Sequence, residues 1–397
     1  MADKKLKGFR TVETSDEELN EKIRQHRRKN LRRVMVILAL MVLVLIILKI
    51  VYAVQKYDDY EVKSSIERES TNITKFKEFS EYILEYSNDG VLCTTKNGTL
   101  IWNQAFEMVS PMIETCGEYL VIYDQGGTQI YIVSKEGLQK KIETTSSIQK
   151  VAIAQQGTIA VLMKEDDESR IKLFDKKGNE LANGKFYDNK GSIPVDIALS
   201  MNATKMAVSM VDVTGKAVSS TITFYNFGTV GQSEIDNNVG TYSFDGTLIP
   251  EIDYVSDNRM IAVGTDKILV FEGNQKPEIA RTIELTERVQ SYFCNEKYIG
   301  IVYEHQGSEN AWHIEVMDMK GKVITECDTQ IAYEKIKFLS NNEICITSKT
   351  ECEIYTLLRT KKFSYTFDKE IYSIIANGKG QNYIFIFKET AEEVRLK

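Results

Sequence analysis

A unit of about 40 residues recurs eight times between residue 76 and the C terminus, and this recurrence restricts the fold more than any other feature of the sequence. Each copy contains two strands of alternating apolar residues joined by a polar or glycine-containing turn, with one strand pattern before them and a looser one after them. The paired strands of successive copies start 29 to 54 residues apart, within the ranges 90–103, 119–134, 158–178, 205–228, 259–273, 298–321, 343–359 and 382–397.

A four-stranded unit at this spacing predicts an all-β fold, an eight-bladed β-propeller, with seven blades as the alternative count. One such sheet cannot bury both of its faces alone, so successive sheets stack and the ring closes on itself. The last copy ends after three strands, and the segment around Lys75–Ser80 is expected to supply the fourth. A β-sandwich or a pair of barrels also contains strands at this density, but a fixed four-strand period disfavours both.

A second feature precedes the repeats: residues 34–54 form an apolar run of 21 residues in which Lys49 is the only charged side chain. At about 1.5 Å per residue, a helix of this length crosses a hydrocarbon core of about 30 Å. The sequence therefore predicts a single-pass transmembrane helix. The residues expected to define this anchor are Val34, Leu38, Leu45, Lys49 and Tyr52. The rival interpretation is a signal peptide cleaved after Val51-Tyr52-Ala53.

The run is flanked by charges of unequal sign. A basic cluster precedes it, consisting of Arg24, Arg27, Arg28, Lys29, Arg32 and Arg33. By the positive-inside rule, such a cluster lies in the cytoplasm and the repeats lie outside the cell. The sequence therefore predicts a single-pass protein of the cell membrane with its N terminus in the cytoplasm. Two roles are open for this cluster: it contacts anionic lipid headgroups, or it only sets the orientation of the helix in the membrane. Ser15 and Glu18 fit a capping box, which predicts a helix from Ser15 into the apolar run.

These features divide the chain into four segments. Residues 1–33 form a basic, partly helical cytoplasmic tail, 34–54 the transmembrane helix, 55–75 a polar stalk, and 76–397 the extracytoplasmic propeller. The tail carries a net charge of +5 and residues 55–397 a net charge of −13, although the whole chain has only −7. An acidic body of this kind argues against nucleic acid as a partner.

The residues that usually carry chemistry are sparse. The three histidines are His26, His305 and His313, and a metal site built on the last two would need Glu304 or Glu315 as further ligands. The acidic run 166–168 lacks the spacing of a calcium loop, and Gly126-Gly127 fits a hairpin turn rather than a phosphate-binding loop. The sequence therefore predicts no catalytic residue, no metal site and no cofactor.

The cysteines and tyrosines allow two interpretations each. Cys345 and Cys352 could form a disulfide across a tight hairpin, but small buried thiols are the preferred interpretation for all six cysteines. Tyrosines on propeller loops commonly contact partners, whereas four on predicted strands are expected to pack inside: Tyr123, Tyr131, Tyr303 and Tyr355. Only two tryptophans are present, Trp102 and Trp312, and this scarcity disfavours a quinone-dependent dehydrogenase.

Several blade sequences resemble an uncharacterised Firmicutes family of membrane-anchored propellers, domain of unknown function 5711. The resemblance lies in GTLIWNQAFEM (98–108), VAIAQQGTIAVL (151–162), IALSMNATKMAVSM (197–210), FYNFGTVGQ (224–232) and NEKYIGIVY (295–303). These are blade signatures rather than active-site motifs. The resemblance therefore implies the fold and the topology and transfers no catalytic residue.

Three functions are compatible with this sequence. The first is a non-catalytic scaffold that binds another envelope protein or a wall ligand, with the irregular segment Gly228–Gly246 as a candidate contact surface. The second is an envelope enzyme, similar to a glycan hydrolase, with acidic residues at the central channel. The third is a transmembrane sensor that signals through the basic tail. Fold alone does not choose among them.

Overall fold

A computed structural model describes residues 16–53, 55–67, 75–187, 191–215, 217–285, 287–304, 312–378 and 380–397. The side chains of residues 16–19, 22 and 45–53 lie outside this description. Contacts divide the chain into a helical unit that ends at Gln55 and a β unit that spans Lys56–Lys397.

The helical unit consists of one helix, α1 (Asp16–Ala53), of 38 residues. The helix predicted from the capping box is confirmed, although Ser15 itself lies outside the described residues. The six side chains of the basic cluster lie on α1 and are exposed to solvent. Val34 and Leu38 also lie on α1, with exposed side chains, whereas the side chains of Leu45, Lys49 and Tyr52 are outside the description.

The predicted membrane anchor is contradicted. Within the described part of the chain, no helix carries an apolar stretch long enough to cross a membrane. The predictions of a single-pass topology, a cell-membrane location and a transmembrane sensor depended on this anchor and are withdrawn with it.

In the described residues of the β unit, 32 strands form eight antiparallel four-stranded sheets. The first strand, β1 (Tyr60–Glu67), belongs to the last sheet. Blade 1 is built from β2 (Lys75–Phe79), β3 (Tyr82–Ser87), β4 (Gly90–Thr95) and β5 (Leu100–Ala105). Blade 2 is built from β6 (Pro111–Cys116), β7 (Tyr119–Asp124), β8 (Gln129–Ser134) and β9 (Gly137–Glu143). Blade 3 is built from β10 (Ser147–Ile153), β11 (Ile159–Lys164), β12 (Glu168–Phe174) and β13 (Glu180–Tyr187). Blade 4 is built from β14 (Ser192–Leu199), β15 (Lys205–Asp212), β16 (Ser219–Asn226) and β17 (Asn238–Asp245).

The remaining blades follow the same order. Blade 5 contains β18 (Glu251–Ser256), β19 (Arg259–Val263), β20 (Lys267–Glu272) and β21 (Glu278–Glu284). Blade 6 contains β22 (Val289–Cys294), β23 (Tyr298–Glu304), β24 (Trp312–Asp318) and β25 (Val323–Thr329). Blade 7 contains β26 (Lys335–Phe338), β27 (Ile344–Thr347), β28 (Glu351–Tyr355) and β29 (Lys361–Thr366), and blade 8 contains β30 (Ile371–Ala376), β31 (Asn382–Phe387) and β32 (Thr390–Leu396) together with β1. The eight-bladed propeller is therefore confirmed, and the seven-bladed alternative is wrong.

The ring closes by an exchange of strands between the two ends of the β unit. β1 pairs antiparallel with β32, so that Tyr60 lies opposite Leu396 and Glu67 opposite Thr390. The exchange was predicted, but its residues were not: the segment around Lys75–Ser80 instead forms the innermost strand of blade 1. The expected stalk, residues 55–75, supplies the closing strand. Its polar composition is explained by its outermost position, since most of its side chains face solvent.

The hydrophobic core lies between neighbouring blades rather than at the centre of the ring. One cluster, for example, joins Phe79 and Leu84 of blade 1 to Ile113 and Leu120 of blade 2. The middle strands are the most buried, in agreement with their near-continuous apolar sequence. Four strand tyrosines predicted as packing residues are buried, as expected: Tyr123, Tyr131, Tyr303 and Tyr355.

Antiparallel strand order gives the ring two distinct faces. The connections between the first and second strands, and between the third and fourth strands, lie on one face, which we call the lower face. Tyr57 and Lys397 lie there, since Asp59 and Lys397 exchange backbone hydrogen bonds of 3.3 and 2.9 Å. The upper face carries the connections between the second and third strands and between successive blades.

Candidate functional site

The innermost strands of five consecutive blades enclose a cavity of about 300 Å³ in the central channel. Strands β6, β10, β14, β18 and β22 supply its walls. Its charged and phenolic side chains are Glu114, Lys150, Asp196, Glu251, Asp253, Tyr254 and Tyr292, and aliphatic residues such as Val151, Ala198 and Ile252 lie between them. The channel therefore combines charge with apolar surface.

Carboxylates dominate the charge of this cavity. Glu114, Asp196, Glu251 and Asp253 face one basic side chain, Lys150. Lys150 Nζ lies 3.5 Å from Asp196 Oδ1, which links blade 3 to blade 4. Glu114 already has a cation, because its Oε2 lies 2.9 Å from Nζ of Lys77 on blade 1.

Asp196 is the most enclosed of the four carboxylates, with 3% of its surface exposed. Its Oδ2 accepts a hydrogen bond of 2.8 Å from the backbone N–H of Ile252 on blade 5. Burial raises the pKa of Asp196 to about 6, and the charge of Lys150 opposes this shift. The group therefore changes its protonation state close to neutral pH.

Two further acidic groups of the cavity are perturbed, Asp253 and Tyr292. The side chain of Asp253 is exposed to the channel, but the surrounding protein desolvates its carboxylate, and this desolvation, followed by the charge of Glu114, raises its pKa. The Tyr292 hydroxyl donates a hydrogen bond of 2.5 Å to Glu251 Oε2. Burial, followed by this hydrogen bond, raises the pKa of Tyr292 well above its ordinary value.

Two oxygens at the cavity wall have no hydrogen-bond partner. The Tyr254 hydroxyl is one of them, on a side chain that is only 6% exposed. The other is Asp196 Oδ1, which makes no well-aligned hydrogen bond but has Nζ of Lys150 as an ionic partner at 3.5 Å. Buried polar atoms are rarely left unsatisfied in folded proteins, so the Tyr254 hydroxyl is the group here that lacks a partner.

The residues considered for metal binding are not assembled into a metal site. Within the described residues, no group of three or more His, Cys, Asp or Glu side chains is arranged to hold a metal ion. His313 Nδ1 instead lies 2.7 Å from Asp328 Oδ1, and His305 is outside the described residues. In the acidic run 166–168, Glu168 forms ion pairs with Arg170 and Lys185 at 2.8 and 3.1 Å.

All six cysteines are free thiols in the structure, so the disulfide between Cys345 and Cys352 is not formed. Four of the six are buried, as the preferred interpretation expected, and Cys116 and Cys294 are half-buried. In the hairpin, Cys345 lies opposite Ile354 and Cys352 opposite Thr347, so the two cysteines are diagonal neighbours and remain in contact as thiols. Burial raises the pKa of Cys294 to about 12, which keeps this thiol protonated.

A second concave surface lies on the outside of the ring, between blades 3 and 4. It is a groove of about 380 Å³ whose walls are Ile171, Leu173, Ala182, Asn183, Gly184, Lys185, Phe186, Met206, Tyr225, Phe227, Asp236 and Asn237. The last two residues belong to a connection between β16 and β17, residues 227–237, that we call the blade-4 insertion. The insertion contains two short 3-10 helices, Gly231–Ser233 and Ile235–Asn237. Part of the segment expected to be irregular, Gly228–Gly246, therefore forms one wall of the groove, whereas Asn238–Asp245 within it form the regular strand β17.

The blade-4 insertion is held firmly in place. Gly231 packs so tightly that a Cβ atom there would lie 1.5 Å from the carbonyl oxygen of Asn226. Glu234 Oε1 lies 2.6 Å from Nζ of Lys276 on blade 5. At the outer tip, Ile235 is 87% exposed. A closely packed loop thus presents an isoleucine to solvent beside a groove of mixed polar and apolar residues.

Sequence reasoning missed the charged residues of the channel. A signal was present in the strand patterns that precede the third and fourth pairs of strands. These patterns, KVAIAQ (150–155) and PVDIALS (194–200), each contain one charged residue, Lys150 or Asp196. A charge that recurs in the innermost strand of a propeller indicates a channel wall. The sequence did not show which charges face each other, since this depends on the closure of the ring.

The architecture defines the class of the protein: it is an eight-bladed β-propeller with a charged axial cavity. The chain belongs to a family of unknown function, DUF5711, which it matches over residues 53–396. This match confirms the resemblance found in the blade sequences; it carries no information on a Firmicutes source or on anchoring in a membrane. No curated protein matches the sequence.

Solved structures show the same fold at low sequence identity. BamB from Moraxella catarrhalis is similar with a TM-score of 0.50 and 11% identity, over 85% of this chain and 100% of that one. A eukaryotic initiation factor is similar with a TM-score of 0.50 and 12% identity, over 83% of each chain. Likeness at this level supports the propeller fold alone.

Proposed function

We propose that this protein is a non-catalytic scaffold that binds a protein partner at the groove between blades 3 and 4. The observation that carries the proposal is the exposure of Ile235 at the tip of the blade-4 insertion, directly beside that groove. A single exposed apolar residue is ordinary on a protein surface. An exposed residue on a pinned loop, next to a concave wall, is typical of a binding surface.

The composition of the groove favours a protein over a small polar ligand. Phe186, Tyr225 and Phe227 provide aromatic surface, and Lys185 and Asp236 add charge of both signs. Aromatic residues surrounded by a polar rim are characteristic of protein interfaces. Because Gly231 and the ion pair of Glu234 fix the insertion, a partner loses little free energy in ordering it.

Site-specific crosslinking tests this proposal in intact cells that produce the full chain. A photoreactive residue replaces Ile235 on the lower face, and a matched control replaces Val213, which is 63% exposed on the upper face of the same blade. We expect one protein to be captured at position 235 and not at position 213. When the captured protein and the propeller chain are both purified, Ile235→Asp in the propeller chain should weaken their binding at least about tenfold, since a charge then enters the interface. Equal capture at both positions, or capture at neither, contradicts the proposal.

The channel supports a second candidate function, hydrolysis of a glycan. The observation in its favour is Asp196, whose pKa of about 6 suits a general acid, in the same cavity as the carboxylates of Glu251 and Asp253. Incubation of the purified chain with a panel of glycans tests it. Release of reducing ends that is lost in Asp196→Asn and retained in Asp212→Asn, a change outside the channel, establishes an enzyme and removes the scaffold proposal. No release by the unaltered chain rejects the hydrolase.

A further inference from the structure

We propose that the channel cavity is a binding site for a linear organic cation with two or more amino groups, of the polyamine class. The cavity is lined by Glu114, Asp196, Glu251, Asp253 and Lys150, and none of these residues belongs to the groove between blades 3 and 4. The inference is therefore independent of the protein partner proposed above.

Charge is the first argument. Four carboxylates line one cavity with Lys150, and Lys77 pairs with Glu114 from the blade 1 side. The carboxylates therefore outnumber the lysines, although both lysine charges also reach Asp253. Carboxylates that are held together in a partly desolvated channel repel one another, and the pKa of Asp253 is raised for this reason as well as by enclosure. A bound cation removes that repulsion, and channel walls of low polarity strengthen its attraction.

The two unsatisfied oxygens are the second and independent argument. Tyr254 lines the cavity and its buried hydroxyl has no hydrogen-bond partner, and Asp196 Oδ1 makes no well-aligned hydrogen bond, although Nζ of Lys150 lies 3.5 Å from it. Each can accept a hydrogen bond, and an alkylammonium group provides three N–H donors. The structure thus offers both the charge and the acceptors that an amino group requires.

The arrangement fits an organic cation better than a metal ion. The carboxylates come from blades 2, 4 and 5, and within the described residues no three such groups converge as metal ligands. A volume of about 300 Å³ is at the lower end of the range for small-molecule sites. Val151, Ala198 and Ile252 lie between the charges, where they can contact the methylene groups of an extended polyamine.

Calorimetric titration of the full chain with spermidine tests the proposal, with magnesium chloride at equal ionic strength as the reference cation. We expect saturable binding of one spermidine and no comparable binding of magnesium. Asp253→Asn should weaken binding at least about tenfold, because it removes a channel charge. Tyr254→Phe should weaken it several-fold without a change of charge, and thermal unfolding confirms that each variant is folded.

Glu326→Gln is the matched control, since Glu326 is an exposed carboxylate on an outer strand, β25. It should leave spermidine binding unchanged. Three results overturn the proposal: no binding by the unaltered chain, equal binding of magnesium, or unaltered affinity in both Asp253→Asn and Tyr254→Phe. Because Tyr254→Phe retains the ring that packs between the blades, it remains informative if Asp253→Asn does not fold.

Discussion

The backbone N–H of Tyr57 donates a hydrogen bond of 2.8 Å to the carbonyl oxygen of Lys362, and this contact attaches the start of the β unit to blade 7. Tyr57 also forms a parallel bridge with Phe363. Three residues later β1 begins, and it pairs with blade 8. The closing segment therefore spans the boundary between blades 7 and 8 and fastens both.

This closure gives a first prediction at Tyr60. Its ring packs 5.1 Å from the rings of Tyr365 on blade 7 and Phe385 on blade 8. Tyr60→Ala should lower the free energy of unfolding by about 2 to 3 kcal/mol, because it removes aromatic packing on both blades. Urea unfolding measures the change. Tyr187→Ala, on the outermost strand of blade 3 with 50% exposure, is the control and should cost less than about 0.5 kcal/mol. Similar losses in both variants contradict a special role for the closing strand.

A buried ion pair at the same boundary gives a second prediction. Lys362 Nζ lies 2.5 Å from Glu343 Oε1, with only 9% and 13% of the two side chains exposed, and it donates a hydrogen bond of 2.8 Å to the Tyr383 hydroxyl. Glu343→Leu alone should cost about 3 kcal/mol or more, because it leaves a buried lysine without its counter-ion. The double variant Glu343→Leu, Lys362→Met should cost less than the sum of the two single changes. A double-mutant cycle by urea unfolding decides, and simple additivity refutes the coupling.

Asp196 gives a prediction about pH. Its pKa in the folded chain, about 6, lies above its ordinary value of 3.8, so the folded state binds a proton more readily than the unfolded state does. Its contribution therefore favours folding as the pH falls through 6 and opposes folding at higher pH. The penalty fades between pH 6 and pH 3.8, so Asp196→Asn should raise the free energy of unfolding by about 1 to 2 kcal/mol more at pH 7.5 than at pH 5. Urea unfolding at the two pH values measures the difference.

Asp212→Asn is the control for that experiment, because the hydrogen bonds from Thr214 lower the pKa of Asp212. A lowered pKa has the opposite sign, so this carboxylate stabilises the fold at neutral pH and loses that effect as the pH falls. The control variant should show no gain in stability at pH 7.5. If Asp196→Asn is destabilised equally at both pH values, the enclosed carboxylate is not the source of the pH dependence.

The blade-4 insertion gives the fourth prediction. Gly231→Ala places a methyl group against the carbonyl of Asn226, so the insertion must move. We expect a loss of about 1 to 3 kcal/mol in unfolding free energy and a reduced yield of crosslinking from position 235. Gly240→Ala is the control, since Gly240 lies outside the groove and its Cβ would meet only a ring atom of Tyr242 at 3.5 Å. Unchanged crosslinking in a destabilised Gly231→Ala chain contradicts the proposal that the insertion is held in place for binding.

The fold was largely predictable because it is written in local patterns. The apolar runs 119–124 and 130–133, for example, predict buried neighbouring strands, and they are β7 and β8 of one blade. Repetition of that pattern gave the number of blades. β1 escaped prediction because an outermost strand needs few apolar residues: Val62 is 45% exposed, and the strand gains its order from pairing with β32.

The candidate sites were predictable only in part. The irregular connection after β16 stands out in the sequence, and it borders the outer groove. The channel depends instead on contacts between residues that are far apart in sequence. Glu114 and Asp253 are on blades 2 and 5, and only the closed ring brings their charges together. No local pattern encodes that proximity.

The strand exchange between the termini has a consequence for synthesis of the chain. β1 is synthesised before every other strand and β32 after every other strand of the ring, so β1 waits without its sheet until the eighth blade has been made. Seven sheets can assemble on the nascent chain during that time, but the ring cannot close. A chain that terminates before β32 therefore leaves β1 without its partner strand and the ring open.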